Sequence, residues 1–280
     1  MDKRKLSLSI VIPVFNEEEH LQTCLQSIAR QTTLPDEVVV VDNNSTDRSA
    51  VVATQYPFVR VIREKQQGIA HARDAGFDAA TSDLIGRIDA DTVLPETWVE
   101  DVYALYQHRR DFAFTGGGTF YNVSAPHFNS YMLSQIAFRI NRFIMGHYIL
   151  WGSNMVLPRS QWRRVRKLVC STNKDIHEDL DLAIHLHRIG CPITFKENIK
   201  VGVEMKRAFS GDTHAFRKNL SLWPETLYTH NLRRAWLGKA GASFLYWGTM
   251  IFMKPADRIL KTYHAGAKQL RSLFAYDTDA

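Results

Sequence analysis

Cysteine is scarce in this 280-residue chain: Cys24, Cys170 and Cys191 lie far apart, and no C-x-x-C pair occurs. An odd, scattered set argues against a disulfide framework or a zinc site and fits a reducing compartment. Long apolar runs are also missing near the start. The first apolar stretch is short, strand-like and broken by Pro13, which speaks against a signal peptide and makes the cytosol the expected location. Repeats, low-complexity segments and linkers are absent. So is a glycine-rich phosphate loop after the first apolar run, where the sequence reads Pro13-Val14-Phe15-Asn16-Glu17. Charge is nearly balanced at a formal net of +6, which hints at an anionic ligand or membrane surface and establishes neither. Nucleic-acid binding has only that modest charge in its favour and no recognised module.

What is there is an ordinary soluble composition, 45% hydrophobic and 23% charged, at a length that buries a full core. From 8 to 91 apolar runs alternate with helix-like segments: strands at 8–14, 37–41, 58–62 and 84–88, and helices at 17–31, from the Ser45-Thr46-Asp47 cap through 52, and at 68–81. Strands apolar on both faces that alternate with helices imply a parallel sheet covered on two sides, a doubly wound α/β unit. Ligands then bind beyond the carboxyl ends of the strands, where Asp42 and Asp89 fall. Past Asp91 the spacing predicts a helix at 95–108, a strand at 112–115 and a flexible or tightly turning loop at Gly116-Gly117-Gly118. It then predicts a helical stripe over 131–149, a strand at 153–157, a basic helix at 159–168, a helix at 178–189 closed by Gly190, and short strands at 192–196 and 200–204. The segment 236–253 is apolar and aromatic with basic flanks, and three outcomes stay open for it: packing on the core, lying in a membrane interface, or spanning.

The most informative stretch is Leu84-Ile85-Gly86-Arg87-Ile88-Asp89-Ala90-Asp91. If it is extended, side chains at i and i+2 point the same way, so Asp89 and Asp91 share one spot past the strand's end. Two carboxylates about 6 Å apart repel by roughly 3 kcal/mol at an effective dielectric of about 20. A divalent cation with oxygen ligands turns that cost into a site and usually carries substrate phosphates. Taken alone, D-x-D reads more readily as two solvated aspartates capping the next helix.

Five pieces in series decide between these: Val11-Ile12-Pro13-Val14-Phe15-Asn16-Glu17, Val40-Val41-Asp42-Asn43-Asn44-Ser45-Thr46-Asp47, Gly68 with Ala72-Arg73, Asp89-Ala90-Asp91, and Glu178-Asp179. Together they resemble the family 2 glycosyltransferases of the GT-A fold, over residues 6–205. The resemblance implies a GT-A doubly wound, mostly parallel sheet with a nucleotide-binding half at 6–94 and an acceptor half at 95–205. A helical C-terminal appendage at 206–280 follows. It implies an inverting, metal-dependent enzyme that moves one sugar from a nucleotide-diphosphate sugar, UDP-linked by preference, to an acceptor hydroxyl. Pro13 and Glu17, with Phe15 between them, would border base and ribose; Asp42 would take the base; Arg73 would reach a base edge or a diphosphate oxygen. Asp89 would contact the ribose or a water on the cation, and Asp91 would ligate Mn²⁺ or Mg²⁺. Asp179 would be the base, with Glu178 supporting it and His177 a minor competitor. Trp151, Gly152, Ser153 and Asn154 would offer acceptor or donor-sugar contacts, a core Trp with a turn being the alternative. Lys206 and Arg207 lie where a segment could fold over the diphosphate, or else form a solvated basic face. Asn43-Asn44 and Asp74 depart from the common pattern of the family. A carbohydrate or lipid-linked acceptor, with peripheral membrane contact through 236–253, completes the expectation. A sugar-1-phosphate nucleotidyltransferase and a non-catalytic nucleotide-sugar binding protein of the same fold are the rival readings.

Overall fold

The computed structural model describes residues 5–120, 138–204 and 213–248. In chain order the elements are β1 (Leu8–Val14), α1 (Glu18–Ala29), β2 (Glu37–Asp42), α2 (Ser49–Thr54), β3 (Val59–Arg63), α3 (Ile69–Ala79), β4 (Leu84–Arg87) and α4 (Trp98–Tyr106). They continue with β5 (Ala113–Phe120), β6 (Met155–Pro158), α5 (Arg159–Val165), α6 (Glu178–Arg188), β7 (Ile193–Val203), α7 (Thr213–Thr229) and α8 (Ala235–Gly248). The strands form one sheet in the order β3-β2-β1-β4-β6-β5-β7, parallel except for β6, which runs against both neighbours.

Alternation along the strands builds two cores. Leu8, Ile10, Ile12 and Val14 of β1, with Val38 and Val40 of β2, pack against Leu21, Leu25 and Ile28 of α1 and Trp98 and Val102 of α4. The opposite faces, Val11, Val39 and Val41, meet Ala72 and Phe77 of α3, Trp162 of α5 and Leu182 and Leu186 of α6. Each such side chain contributes about 1.5–3 kcal/mol of burial, which is why both faces of the central strands must be covered. Pro13 fits the ladder for a simple reason. Residues 11 and 13 turn their backbone groups toward β4, whose pairing ends when Ile88 N–H donates to the Val11 carbonyl, so no ladder bond is lost at the proline. A third cluster joins Leu180 and Ile184 of α6 to Trp223 and Leu227 of α7 and Ala235 of α8.

The structure corrects three sequence expectations. Gly116-Gly117-Gly118 is no loop: it lies inside β5, because a Cβ at Gly116 would meet the Asn154 side chain at 2.1 Å and one at Gly118 the Trp151 ring at 2.3 Å. The segments 192–196 and 200–204 are one strand, β7, which bulges where its register with β5 shifts between Gly116 and Gly117. Asp89 and Asp91 sit in a turn closed by Thr92 N–H donating to the Asp89 carbonyl, with Ala90 buried, so the strand alternation assumed for the pair does not apply. Within the stripe expected at 131–149, residues 138–145 are helical; 131–137, Lys206, Arg207 and 249–253 lie outside the described residues.

Candidate active site

The first parallel strands end on one rim, and the turns that follow are built by short polar side chains. Asn16 and Asn44 both adopt left-handed backbone, at φ 54° and 66°, a conformation asparagine tolerates better than most residues. Asn44 thus performs the backbone task of a glycine. Asn43, the other departure, is buried and clamps the next loop: its amide donates to the carbonyls of Glu64 and Gln66, and its oxygen accepts from Gly68 N–H. Just before them Asp42 ends β2, buried, with Oδ1 accepting from Ser45 N–H at 2.9 Å. Phe15 is exposed at the tip of β1, Pro13 is buried in it, and Glu17 opens α1 through its carbonyl while its carboxylate pairs with His20.

The centre of the rim is a residue that the sequence reading passed over. Arg87, the last residue of β4, is buried, and its guanidinium contacts three carboxylates. Nη1 donates to Asp179 Oδ1, Nη2 donates to Asp89 Oδ1 at 3.1 Å, and both lie 3.3 Å from Glu178 Oε1. Burial alone would lower the arginine's pKa, but the fields of Asp179, Asp89 and Glu178 outweigh it and hold it above its ordinary value. One cation thereby draws Asp89, from the turn after β4, to the first turn of α6.

The stretch expected to touch sugar supports this cluster instead. Gly152 N–H donates to Asp179 Oδ2 at 2.8 Å, and Ser153 Oγ donates to Asp89 Oδ2 at 2.5 Å. A Cβ on Gly152 would fall 2.5 Å from the Arg87 guanidinium carbon, so only glycine lets the loop approach so closely. Asn154 is fully buried and takes the Trp98 indole N–H while donating to Gly117 and Ile199 carbonyls, so it is a core residue and no ligand contact. Trp151 is half-buried against Gly118.

Arg73 also needs correction. It was expected at a base edge or a diphosphate oxygen, but it is fully buried, with Nε and Nη2 on Asp74 and Nη1 donating to the Glu178 carbonyl at 2.7 Å. Its work is to fix the start of α6, and Asp74 is there to neutralise it.

Exposure and titration separate the three acids. The side chains of Asp179, Glu178 and Asp89 are 4%, 14% and 34% exposed. Burial pushes the Asp179 carboxyl up to about 6, against the pull of Arg87. Glu178 is pushed up by burial too, but His177, Arg87 and Arg73 outweigh that and hold it at about 2.

Asp91 lines a cavity of about 680 Å³ with His20, Thr23, Leu94, Thr119 and Lys200. Carboxylate oxygens at this position are hard donors of the kind Mg²⁺ and Mn²⁺ take. Among the described residues His177, Glu178 and Asp179 also bring ligand atoms within 4.8 Å of one another, although the Arg87 guanidinium already pairs with the two acids.

Known proteins bear on this geometry. GlyG, a glycosyltransferase of Streptococcus pneumoniae, is 29% identical over 133 residues, 46% of this chain and 44% of that protein. The validoxylamine A glucosyltransferase of Streptomyces hygroscopicus subsp. limoneus is 24% identical over 265 residues, 79% of this chain and 58% of that protein. The chain thus spans about half the length of these curated relatives. Among solved structures, the mannosyltransferase PcManGT of Pyrobaculum calidifontis, in complex with GDP-Man and Mn²⁺, superposes with a TM-score of 0.63 at 16% identity, covering 98% of this chain and 81% of that one. TarS 1-349 of Staphylococcus aureus with UDP-GlcNAc gives 0.54 at 16% identity, covering 79% and 72%. The fold is GT-A. The sequence profile described as Glycosyl transferase family 2 matches residues 9–168, more than half of the chain, and the protein belongs to that family.

Proposed function

We propose that this glycosyltransferase is inverting and metal-dependent, and that it moves a single sugar from a nucleotide-diphosphate sugar, UDP-linked by preference, to an acceptor hydroxyl. The observation that carries this reading is the Arg87 cluster, which brings the D-x-D turn and the start of α6 to one rim. The acceptor oxygen attacks the anomeric carbon, the bond from that carbon to the diphosphate oxygen breaks, and the hydroxyl proton passes to a carboxylate on the opposite side. Asp179 is the base in this reading, and Gly152 N–H and Arg87 hold its orientation. Asp42 takes the base of the nucleotide, with Pro13, Phe15 and Glu17 bordering it. Asp91, assisted by Asp89, would hold Mn²⁺ or Mg²⁺, which when bound would neutralise charge on the leaving diphosphate.

Greater exposure favours a second assignment, with Glu178 as base and Asp179 as its buried anchor. The pH profile separates them. A base works only when ionised, so with Asp179 in that role kcat/KM should fall as pH drops through about 6. A profile flat down to pH 4 assigns the role to Glu178, held near 2.

Donor and metal are read together by thermal shift. UDP with Mn²⁺ should raise Tm more than GDP or CDP, since a ligand at a hundred times its Kd adds about 2.7 kcal/mol. Asp91→Asn should remove the Mn²⁺ dependence. A larger shift with GDP overturns the preference for UDP, and indifference to Mn²⁺ and EDTA overturns the metal.

For the acceptor we favour a lipid-linked glycan precursor met at the cytoplasmic face of a membrane, with residues 1–205 as the catalytic unit. No helix among the described residues is long and apolar enough to cross a membrane. Trp236 and Trp247 are exposed, and eleven residues on a helix return to nearly the same face. Lys239 lies between them on that face, and Arg233 and Arg234 precede the helix. This is the chemistry of an interfacial helix. The double variant W236S/W247S should lose flotation with anionic liposomes; equal flotation of variant and parent overturns the contact.

A further inference from the structure

Along α6 from Glu178, four side chains from three segments converge. Asp181 and His185 are one turn apart on α6, Cys170 lies in the loop before it, and His230 follows α7. Their ligand atoms, Cys170 Sγ, one Asp181 oxygen and the two imidazole nitrogens, all lie within 4.8 Å of one another. His230 Nε2 is 2.8 Å and His185 Nε2 3.3 Å from Asp181 Oδ1, and Cys170 N–H donates to Asp181 Oδ2 at 2.9 Å. Tetrahedral zinc, with bonds of about 2.0–2.3 Å, sets its ligand atoms roughly 3.3–3.8 Å apart, so small side-chain shifts suffice. Two further observations point to a ligand. His185 Nε2 is buried among these groups without an aligned hydrogen bond. Asp181 is a fully buried carboxylate, and a Cys170 thiolate formed on loading would bring the negative charge to the two that a Zn²⁺ ion neutralises.

We propose that Cys170, Asp181, His185 and His230 form a Zn²⁺ site that staples the α6 helix to the end of α7, with ligands other than the residues assigned to sugar transfer. A thiolate and two imidazoles select zinc over the Mg²⁺ or Mn²⁺ suited to carboxylates alone. The scattered cysteines argued against zinc only because ligands 60 residues apart make no spacing motif. Loading is proton-balanced: Cys170 releases its thiol proton to solvent, and the neutral His230 ring carries its proton on Nδ1 instead of Nε2. Arg188 Nη1, now 3.1 Å from His230 Nδ1, gives up that contact, while its Nη2 keeps donating to the His230 carbonyl.

The test is titration of the full chain, stripped with chelator, with Co²⁺ and then Zn²⁺. The expected result is one equivalent of Co²⁺ with a thiolate-to-metal charge-transfer band and tetrahedral visible bands, both displaced by Zn²⁺, and a Tm that rises with Zn²⁺. Cys170→Ser should lose the charge-transfer band, and Asp91→Asn should keep it. Absence of the band in the parent chain, or its persistence in Cys170→Ser, overturns the site. Should Cys170→Ser not fold, His185→Gln serves: bound zinc should fall from about one per chain to none, and full retention overturns the proposal.

Discussion

Asp179→Asn is expected to lower kcat by about 10²–10⁴-fold, the usual contribution of a positioned general base. Asparagine keeps the volume, and its oxygen can still accept from Arg87. Its amide then faces Gly152 N–H, two donors where a carboxylate accepted, which costs the fold about 1–3 kcal/mol. Nucleotide release measured beside a urea melt separates the two effects: folded protein with lost turnover is the expected pair. Glu178→Gln should lose much less. If Asp179→Asn stays within tenfold of the parent while Glu178→Gln is inactive, the roles are exchanged.

Arg87→Met should be the most destabilising single change among Arg87 and its three carboxylates. Methionine matches the length of the arginine stem but leaves Asp179 and Glu178 buried with no cation between them. Removing one partner of a buried ion pair costs about 3–5 kcal/mol. Asp89, one-third exposed, adds little to that because water screens it. The pH dependence has a definite sign. Arg87 pulls the folded-state pKa of both carboxylates down; burial already holds Asp179 above its ordinary value, and loss of Arg87 raises it further. A carboxyl raised in the fold destabilises when ionised and recovers as it protonates. The deficit should therefore be full at pH 8 and smaller at pH 5. Urea melts of both proteins at the two pH values check this; a loss under about 1 kcal/mol, or one that grows on acidification, overturns the role of Arg87.

The strands were legible where burial is two-sided. Isoleucine and valine on both faces of β1 and β2 admit no solvent-facing alternative, so parallel pairing and helices on both sides follow. The misread segments share one cause: a residue chosen for a neighbour that is distant in sequence. Gly116 and Gly118 look like a loop until Asn154 and Trp151 occupy the space their side chains would need. Ser153 and Gly152 look like a turn, though they hold acids at 89 and 179. Arg73 carries no local sign of burial, since its partner Asp74 also passes for a surface residue. Arg87 left one usable signal, a lone guanidinium in an otherwise apolar strand two residues before Asp89. A charge so placed is costly unless it is paired.

The reversed direction of β6 has a practical outcome for protein engineering. Every other strand leaves the sheet at the cleft, whereas β6 enters from it, so the segment ahead of β6 is the one fused to the chemistry. The opposite end of the molecule gathers the approaches to the parallel strands, among them the solvent-facing residues 107–111 before β5. An affinity handle or fluorescent reporter grafted there should leave the Arg87 cluster intact, while the same graft between 146 and 154 would pull Gly152 and Ser153 off Asp179 and Asp89.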